Sequence, residues 1–133
     1  MISLLYALHV PPYGGDTWWA NSELAYEFLS DGMKALLMGL RVHMTARETI
    51  RLTVRRDAQG KEILGDTPRR MKDQEDMING NFHPLVRTHP ETGKKSLFVG
   101  GKVKQIVGMN PEESALLLNF LNNHAARPQF CYR

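Results

Sequence analysis

The chain has 133 residues, of which 42% are hydrophobic and 23% are charged, and its formal net charge is +3. This balance is ordinary for one globular domain with a modest core, and no apolar run approaches the roughly 20 residues that cross a membrane. The basic residues between positions 47 and 72 are interleaved with acidic ones. That pattern predicts a solvated segment and disfavours a nucleic-acid-binding surface.

The start of the chain and its cysteine content bear on location. The first ten residues, MISLLYALHV, lack a basic lead and a small-residue cleavage site, which argues against a signal peptide. The single cysteine, Cys131, excludes an internal disulfide and fits a reducing compartment. The sequence therefore predicts a cytoplasmic protein, with neither nucleic acid nor membrane among its partners.

The first third of the chain predicts two strands and two helices. The apolar run at residues 2–10 predicts a buried strand, PPYGGDT at 11–17 a tight turn, and residues 18–20 a second short strand. Asn21 or Ser22 is expected to cap one helix. Ser30 or Asp31 is expected to start another helix, whose apolar side continues to Leu40.

Residues 44–82 are richer in charge and turn signals and poorer in apolar residues. They are predicted to form a long, partly ordered insertion, because segments of that length are uncommon unless they are lids, binding loops or disordered.

The last third predicts strands around one helix. Residues 85–89 and 96–99 are predicted as paired strands joined by a turn, and residues 105–107 as a further short strand. Asn110, Pro111 and Glu113 predict a capped helix start, and residues 129–133 alternate like a strand. Because a terminal strand needs a neighbour, a chain with strands at both ends is expected to be a fragment.

The five histidines do not form a recognisable metal site. A facial iron site needs two histidines and a carboxylate, yet no His-x-Asp or His-x-Glu pair is present. His83 and His89 are predicted to lie about 20 Å apart on one strand. Cys131 has no histidine nearby in the sequence to activate it.

Three separated segments resemble a known family. They are PPYGGDTWWANSELAYEFLSDGMKALLMGL at 11–40, HPLVRTHPETGKKSLFVG at 83–100 and IVGMNPEESALLLNFLNNHAARPQF at 106–130. In this order they resemble the taurine dioxygenase-like (TauD/TfdA) family of iron(II)- and 2-oxoglutarate-dependent dioxygenases. The likeness covers almost the whole chain apart from residues 44–82.

The resemblance implies a fold and one cofactor contact. The fold class expected is mixed α+β, a partial double-stranded β-helix (jelly roll) with flanking helices. It would form a single partial domain at residues 1–133 with a variable insertion at about 44–82. In the family, the far carboxylate of 2-oxoglutarate meets an arginine and the threonine of the GGDT motif. That threonine is Thr17 here, and a hydroxyl donor adds a hydrogen bond to a carboxylate.

The same resemblance leaves the iron ligands unmatched. The family's His-x-Asp pair would precede Met1, and its distal histidine and cosubstrate arginine would follow Arg133. No catalytic residue and no metal ligand is therefore assigned, and Thr17 is the only cofactor-binding residue expected. Fe(II) and 2-oxoglutarate are cofactors of the parent family, and this chain alone is expected to bind neither.

Four further positions have expected roles. Trp19 is interpreted first as a core residue and second as a pocket wall. Asp16 is expected to cap the turn, and Arg87 to form a structural ion pair. Residues 43–45 begin the segment that, in relatives, helps to line the substrate pocket.

Two functions remain open from the sequence. The first is a fragment of a dioxygenase that hydroxylates a small organic substrate with oxidative decarboxylation of 2-oxoglutarate. The second is a non-catalytic remnant or partner-binding module. In either case unpaired sheet edges lead us to expect self-association.

Overall fold

The structure is a computed structural model that describes residues 4, 6–10, 12–46, 55–56, 59, 62–63 and 76–133. Its strands are β1 (Trp19–Ala20), β2 (Arg41–Met44), β3 (Arg55–Arg56), β4 (Glu62–Ile63), β5 (Asn81–Pro84), β6 (Val86–Thr88), β7 (Lys95–Leu97), β8 (Val103–Ile106) and β9 (Cys131–Tyr132). Its helices are α1 (Ser22–Glu27), α2 (Asp31–Leu37) and α3 (Pro111–Ala125), and a 3-10 helix follows at Pro128–Phe130. The expected mixed α+β class is confirmed.

The central sheet has three antiparallel strands in the order β5-β2-β8. Val42 pairs with His83 on one side and with Ile106 on the other, and its side chain is fully buried. The patterns described above do not predict β2, which is the middle strand of this sheet. The partial jelly roll is represented only by this open sheet and three two-stranded ribbons, and the described residues form no closed barrel.

The chain changes sheet at Leu85, where the sequence predicts a continuous strand. β5 ends before Leu85 and belongs to the central sheet, whereas β6 begins after it and pairs with β7. Leu85 is fully buried, its backbone N–H donates to Leu40, and its carbonyl accepts from Phe98. The prediction that His83 and His89 share one strand is therefore wrong, although the β6–β7 hairpin itself is confirmed.

α3 is fixed to the sheet and to α1 by two buried polar side chains. Its start is a complete capping box, in which Asn110 accepts from the Glu113 backbone and Glu113 accepts from the Asn110 backbone. The Ser114 hydroxyl bonds both the N–H and the carbonyl of Ile106 in β8. At the other end, Nε2 of His124 donates to the Ala25 carbonyl of α1 across 2.8 Å.

Both predicted helix starts in the first third are confirmed. Asn21 caps α1 through the backbone N–H groups of Glu23 and Leu24, and Ser30 caps α2 through that of Met33. α1 packs on β7 and α3 on β8. Together these contacts enclose the core, whose buried members include Ala25, Leu37, Val42, Leu85, Leu97, Ile106, Leu118 and Leu121.

The expected buried strand at residues 2–10 is wrong where the structure describes it. Leu4, Tyr6, Leu8 and Val10 are exposed and lie outside any strand. An apolar run becomes a buried strand only when a partner covers it, and no described residue does so here. Most of the expected insertion at 44–82 lies outside the described residues, apart from its ends, the antiparallel β3–β4 pair and a helical turn at residues 76–79.

Candidate functional site

Thr17 follows a turn that only glycine can form readily. Gly14 and Gly15 have φ angles of 79° and 74°, in the left-handed region that side chains disfavour. The chain then continues through Thr17, without regular secondary structure, into β1. The Thr17 side chain is exposed, and its hydroxyl makes no hydrogen bond within the described part of the protein. Thr17 therefore presents a hydroxyl donor beside a tight turn.

Asp16 anchors this turn to the other end of the chain. Its carboxylate accepts a hydrogen bond from the Arg133 guanidinium, which also lies 5.7 Å from the centre of the Trp18 ring. Asp16 was expected to cap the turn, and its contact is instead an ion pair across the β1–β9 ribbon. That ribbon is antiparallel, with Trp19 opposite Tyr132.

Trp19 is not a core residue. Its side chain is 60% exposed, because the two-stranded ribbon has no third layer among the described residues. The interpretation of Trp19 as core is therefore wrong.

A cleft of about 170 Å³ opens at the end of β2, where residues 43–45 begin the insertion. Met44 and Asn81 are paired across β2 and β5, so their side chains share one face of the sheet with His83. Lys102, which precedes β8, adds a cation to the cleft and Asp76 a carboxylate. The cleft thus combines an apolar wall with groups of both charges.

The helical turn at residues 76–79 is bound to β2 by its carbonyl groups. The Thr45 hydroxyl donates to the carbonyls of Met77 and Ile78, and Nε2 of His43 donates to that of Asn79 across 2.8 Å. Carbonyls at the end of a helix have no partner within the helix, and here His43 in β2 and Thr45 just after it supply one. His43 and Thr45 therefore fix one wall of the cleft.

Gly80 allows the helical turn at residues 76–79 to lie close to β2. Its φ is +73°, and a Cβ atom there would lie 2.2 Å from the Met44 carbonyl oxygen. The Asn79-Gly80 pair is the signal by which the sequence could have indicated this helix end. The sequence around Lys102 gives no such signal, because Lys102 is brought to the cleft only by the pairing of β8 with β2.

The histidines do not converge on a metal site. His43 lies opposite Phe82 and His83 opposite Val42, so the two imidazoles project from opposite faces of the sheet. His124 is buried between α3 and α1, and His9 is exposed. All five histidines lie among the described residues, and no three metal-binding side chains there could hold an ion. The described residues therefore do not fit an iron site.

Arg87, expected in an ion pair, instead contacts an aromatic ring. Its guanidinium lies 5.2 Å from the centre of the Phe98 ring, and it has no carboxylate partner in the described part of the chain. The His83 ring packs on the same phenylalanine, with ring centres 4.8 Å apart.

No helix among the described residues has the length and apolar character needed to cross a bilayer.

The comparisons with known proteins agree on one family. The family model described as "Taurine catabolism dioxygenase TauD, TfdA family" matches residues 1–133. An alpha-ketoglutarate-dependent 2,4-dichlorophenoxyacetate dioxygenase from Burkholderia sp. (strain RASC) is 35% identical over 131 residues, which are 98% of this chain and 40% of that protein.

Two solved structures show the same likeness in three dimensions. A taurine dioxygenase from Burkholderia xenovorans is 39% identical with a TM-score of 0.66, over 92% of this chain and 34% of that chain. AAD-2, solved with Mn(II) and N-oxalylglycine, is 30% identical with a TM-score of 0.71, over 93% of this chain and 44% of that chain. The chain thus spans less than half the length of these proteins.

Proposed function

Because the chain belongs to the TauD/TfdA family of dioxygenases, we propose that it is the central part of an iron(II)- and 2-oxoglutarate-dependent dioxygenase. The enzyme would hydroxylate a small organic substrate while decarboxylating 2-oxoglutarate. The observation that carries this proposal is the family match over the whole chain. The described residues offer no iron site, so the metal would be held by other parts of the enzyme.

Thr17 is the residue that we assign to 2-oxoglutarate. Its exposed hydroxyl follows a glycine turn anchored by the Asp16–Arg133 pair, so its position is defined although its side chain has no hydrogen bond within the described residues. A hydroxyl held in this way can donate to a carboxylate without first breaking another bond. Thr17 would bind and orient the far carboxylate.

The cleft at the end of β2 is the surface that we assign to the organic substrate. Met44 and Met77 give it an apolar wall, and Lys102 places a cation at its edge. A small molecule with an apolar body and a polar group suits this lining.

The first test concerns the coding sequence on either side of this chain. We expect a His-x-Asp pair a short distance upstream, and a histidine followed by an arginine downstream. Stop codons close to both ends in every frame would contradict the proposal.

The second test concerns catalysis by the complete protein. With Fe(II) and oxygen, we expect it to convert 2-oxoglutarate to succinate. Thr17→Val should raise the KM for 2-oxoglutarate about tenfold, because it removes one charge-assisted hydrogen bond. Thr17→Ser, which keeps the hydroxyl, should stay close to wild type. An unchanged KM in Thr17→Val would remove Thr17 from the site.

A partner-binding module is the second candidate. It is favoured by the apolar segment at the start of the chain, where Leu4, Tyr6 and Leu8 are 93%, 87% and 92% exposed. Such a stretch is typical of a surface that another chain covers. Sedimentation of the isolated chain should show self-association, and replacing Leu4 and Leu8 with serine should reduce it. Succinate formation by the complete protein would decide in favour of the enzyme.

A further inference from the structure

A second cleft, of about 320 Å³, lies between α1 and the β6–β7 hairpin. It is separate from the cleft at the end of β2, and Thr17 does not line it. The polar residues that line it are Ser22, Arg87, Thr88, His89 and Ser96.

The polar groups that line this cleft are basic or neutral. It has one guanidinium, one imidazole and three hydroxyl groups, and no acidic side chain. Within the described residues, the three hydroxyl groups form no hydrogen bonds, and the Arg87 guanidinium has no hydrogen bond or ion pair and lies near the Phe98 ring. A permanent cation without a carboxylate, in a cleft that is also lined by hydroxyl-bearing residues, favours an anionic ligand.

Arg87 and Ser96 are placed to bind the same group of a ligand. They are directly opposite each other in the antiparallel β6–β7 pair, so both side chains project from one face of the hairpin. Opposite residues have Cβ atoms roughly 5 Å apart. An oxyanion seated on this face can therefore accept hydrogen bonds from both side chains.

His89 supplies a further donor because its tautomer is fixed. The backbone N–H groups of Glu91 and Thr92 both donate to Nδ1 of His89, each across 3.3 Å. Nδ1 must therefore be unprotonated, which places the ring proton of the neutral imidazole on Nε2. Nε2 is then a donor.

The walls of the cleft are held together by a salt bridge. Lys94, in the turn of the hairpin, bonds Glu23 in α1. The hydrogen bond that Lys94 donates to Glu23, and the charge of that carboxylate, raise the pKa of Lys94 above its ordinary value. Glu23, the acidic residue next to Ser22, is thus paired with Lys94, and no ion pair joins it to Arg87 within the described residues.

We propose that this second cleft binds an oxyanion, the carboxylate or phosphate group of a small molecule, through Arg87, Ser96 and His89. The site is independent of the proposed 2-oxoglutarate contact at Thr17.

The test is a titration of the isotope-labelled chain followed by nuclear magnetic resonance. Inorganic phosphate and succinate are added separately, with chloride used to hold the ionic strength constant. We expect saturable shifts of the backbone amides at residues 87–89 and 96 with at least one of them. The anion that saturates at lower concentration identifies the group that the cleft prefers. Shifts that fail to saturate with either anion would overturn the proposal.

Matched variants locate the binding. Arg87→Gln should weaken the binding about tenfold, because it removes a charge-assisted contact, and Ser96→Ala should weaken it about threefold. Arg127→Gln removes an exposed arginine at the start of the 3-10 helix and should leave binding unchanged. Wild-type binding by Arg87→Gln, or an equal loss in Arg127→Gln, would refute the site. If Arg87→Gln does not fold, Ser96→Ala decides, and wild-type affinity in that variant refutes the site.

Discussion

Two regions of the molecule are built very differently. In the first, α3 packs on β8 of the central β5-β2-β8 sheet and α1 packs on β7 and on α3, and side chains such as Leu121 and Ile106 are completely buried. The second is the β1–β9 ribbon with the glycine turn before it. Its Trp19 and Tyr132 are 60% and 76% exposed.

Because of this difference, we expect the first region to determine stability and the second to determine ligand binding. In the helix-covered region, side chains of the helices and of the strands are buried where the two meet. This region should therefore supply most of the free energy of folding. The ribbon holds Thr17 with a surface ion pair and two paired residues per strand. Substitutions in the first region should therefore reduce stability, and substitutions in the second should mainly change binding.

The largest expected effect is on the core beneath α3. Leu121→Ala should lower the free energy of unfolding by about 3 kcal/mol, because it leaves a cavity at a fully buried position. Leu116→Ala is the control on the same helix, since Leu116 is 75% exposed, and it should cost about 0.5 kcal/mol or less. Urea denaturation followed by circular dichroism measures both. Equal losses in the two variants would show that α3 is not seated as described.

The next effect concerns the polar contact between α3 and β8. Ser114→Ala should cost about 2 kcal/mol, because the buried N–H and carbonyl of Ile106 lose their side-chain partner. Ser22→Ala, at a half-buried serine with no hydrogen bond from its side chain within the described residues, should cost well under half as much. Hydrogen exchange of the Ile106 amide gives a second measurement, and it should be faster only in Ser114→Ala.

The parts of the fold that the sequence predicts are those fixed by neighbouring residues. Asn110 and Glu113 form a capping box within one helical turn, and Asn21 and Ser30 cap their own helices. β2 escaped prediction because its strand character comes from pairing with two distant segments.

The errors and the missed cleft have the same origin. Residues 2–10 are apolar, but burial depends on a partner that the run itself does not encode. The alternation from Leu85 to His89 conceals the point at which the chain leaves one sheet for another. In the candidate site, Thr17 was predicted only through its match to the family motif. The cleft at β2 was not predicted beyond residues 43–45, because it combines residues from three separated segments.

A smaller effect is expected in the ribbon. Trp19→Ala should lower the free energy of unfolding by about 1 kcal/mol, since only the part of the ring that covers its neighbours is removed from water. Circular dichroism again follows the helices, so the loss can be compared directly with that of Leu121→Ala. A loss as large as that of Leu121→Ala would mean that the ribbon is part of the main core, and the distinction between the two regions would fail.

The smallest effect on global stability is expected for the ion pair that anchors the turn. Both partners are more than a third exposed, so Asp16→Asn should cost about 0.5 kcal/mol or less. Both tryptophans, Trp18 and Trp19, lie in or beside the ribbon. Fluorescence therefore reports this region alone, while circular dichroism reports the helices. Asp16→Asn should lower the urea midpoint seen by fluorescence and leave that seen by circular dichroism unchanged, because the ribbon opens locally before the core unfolds. If both midpoints fall together, the turn that carries Thr17 is coupled to the core, and its position is set by the whole fold instead of by the Asp16–Arg133 pair.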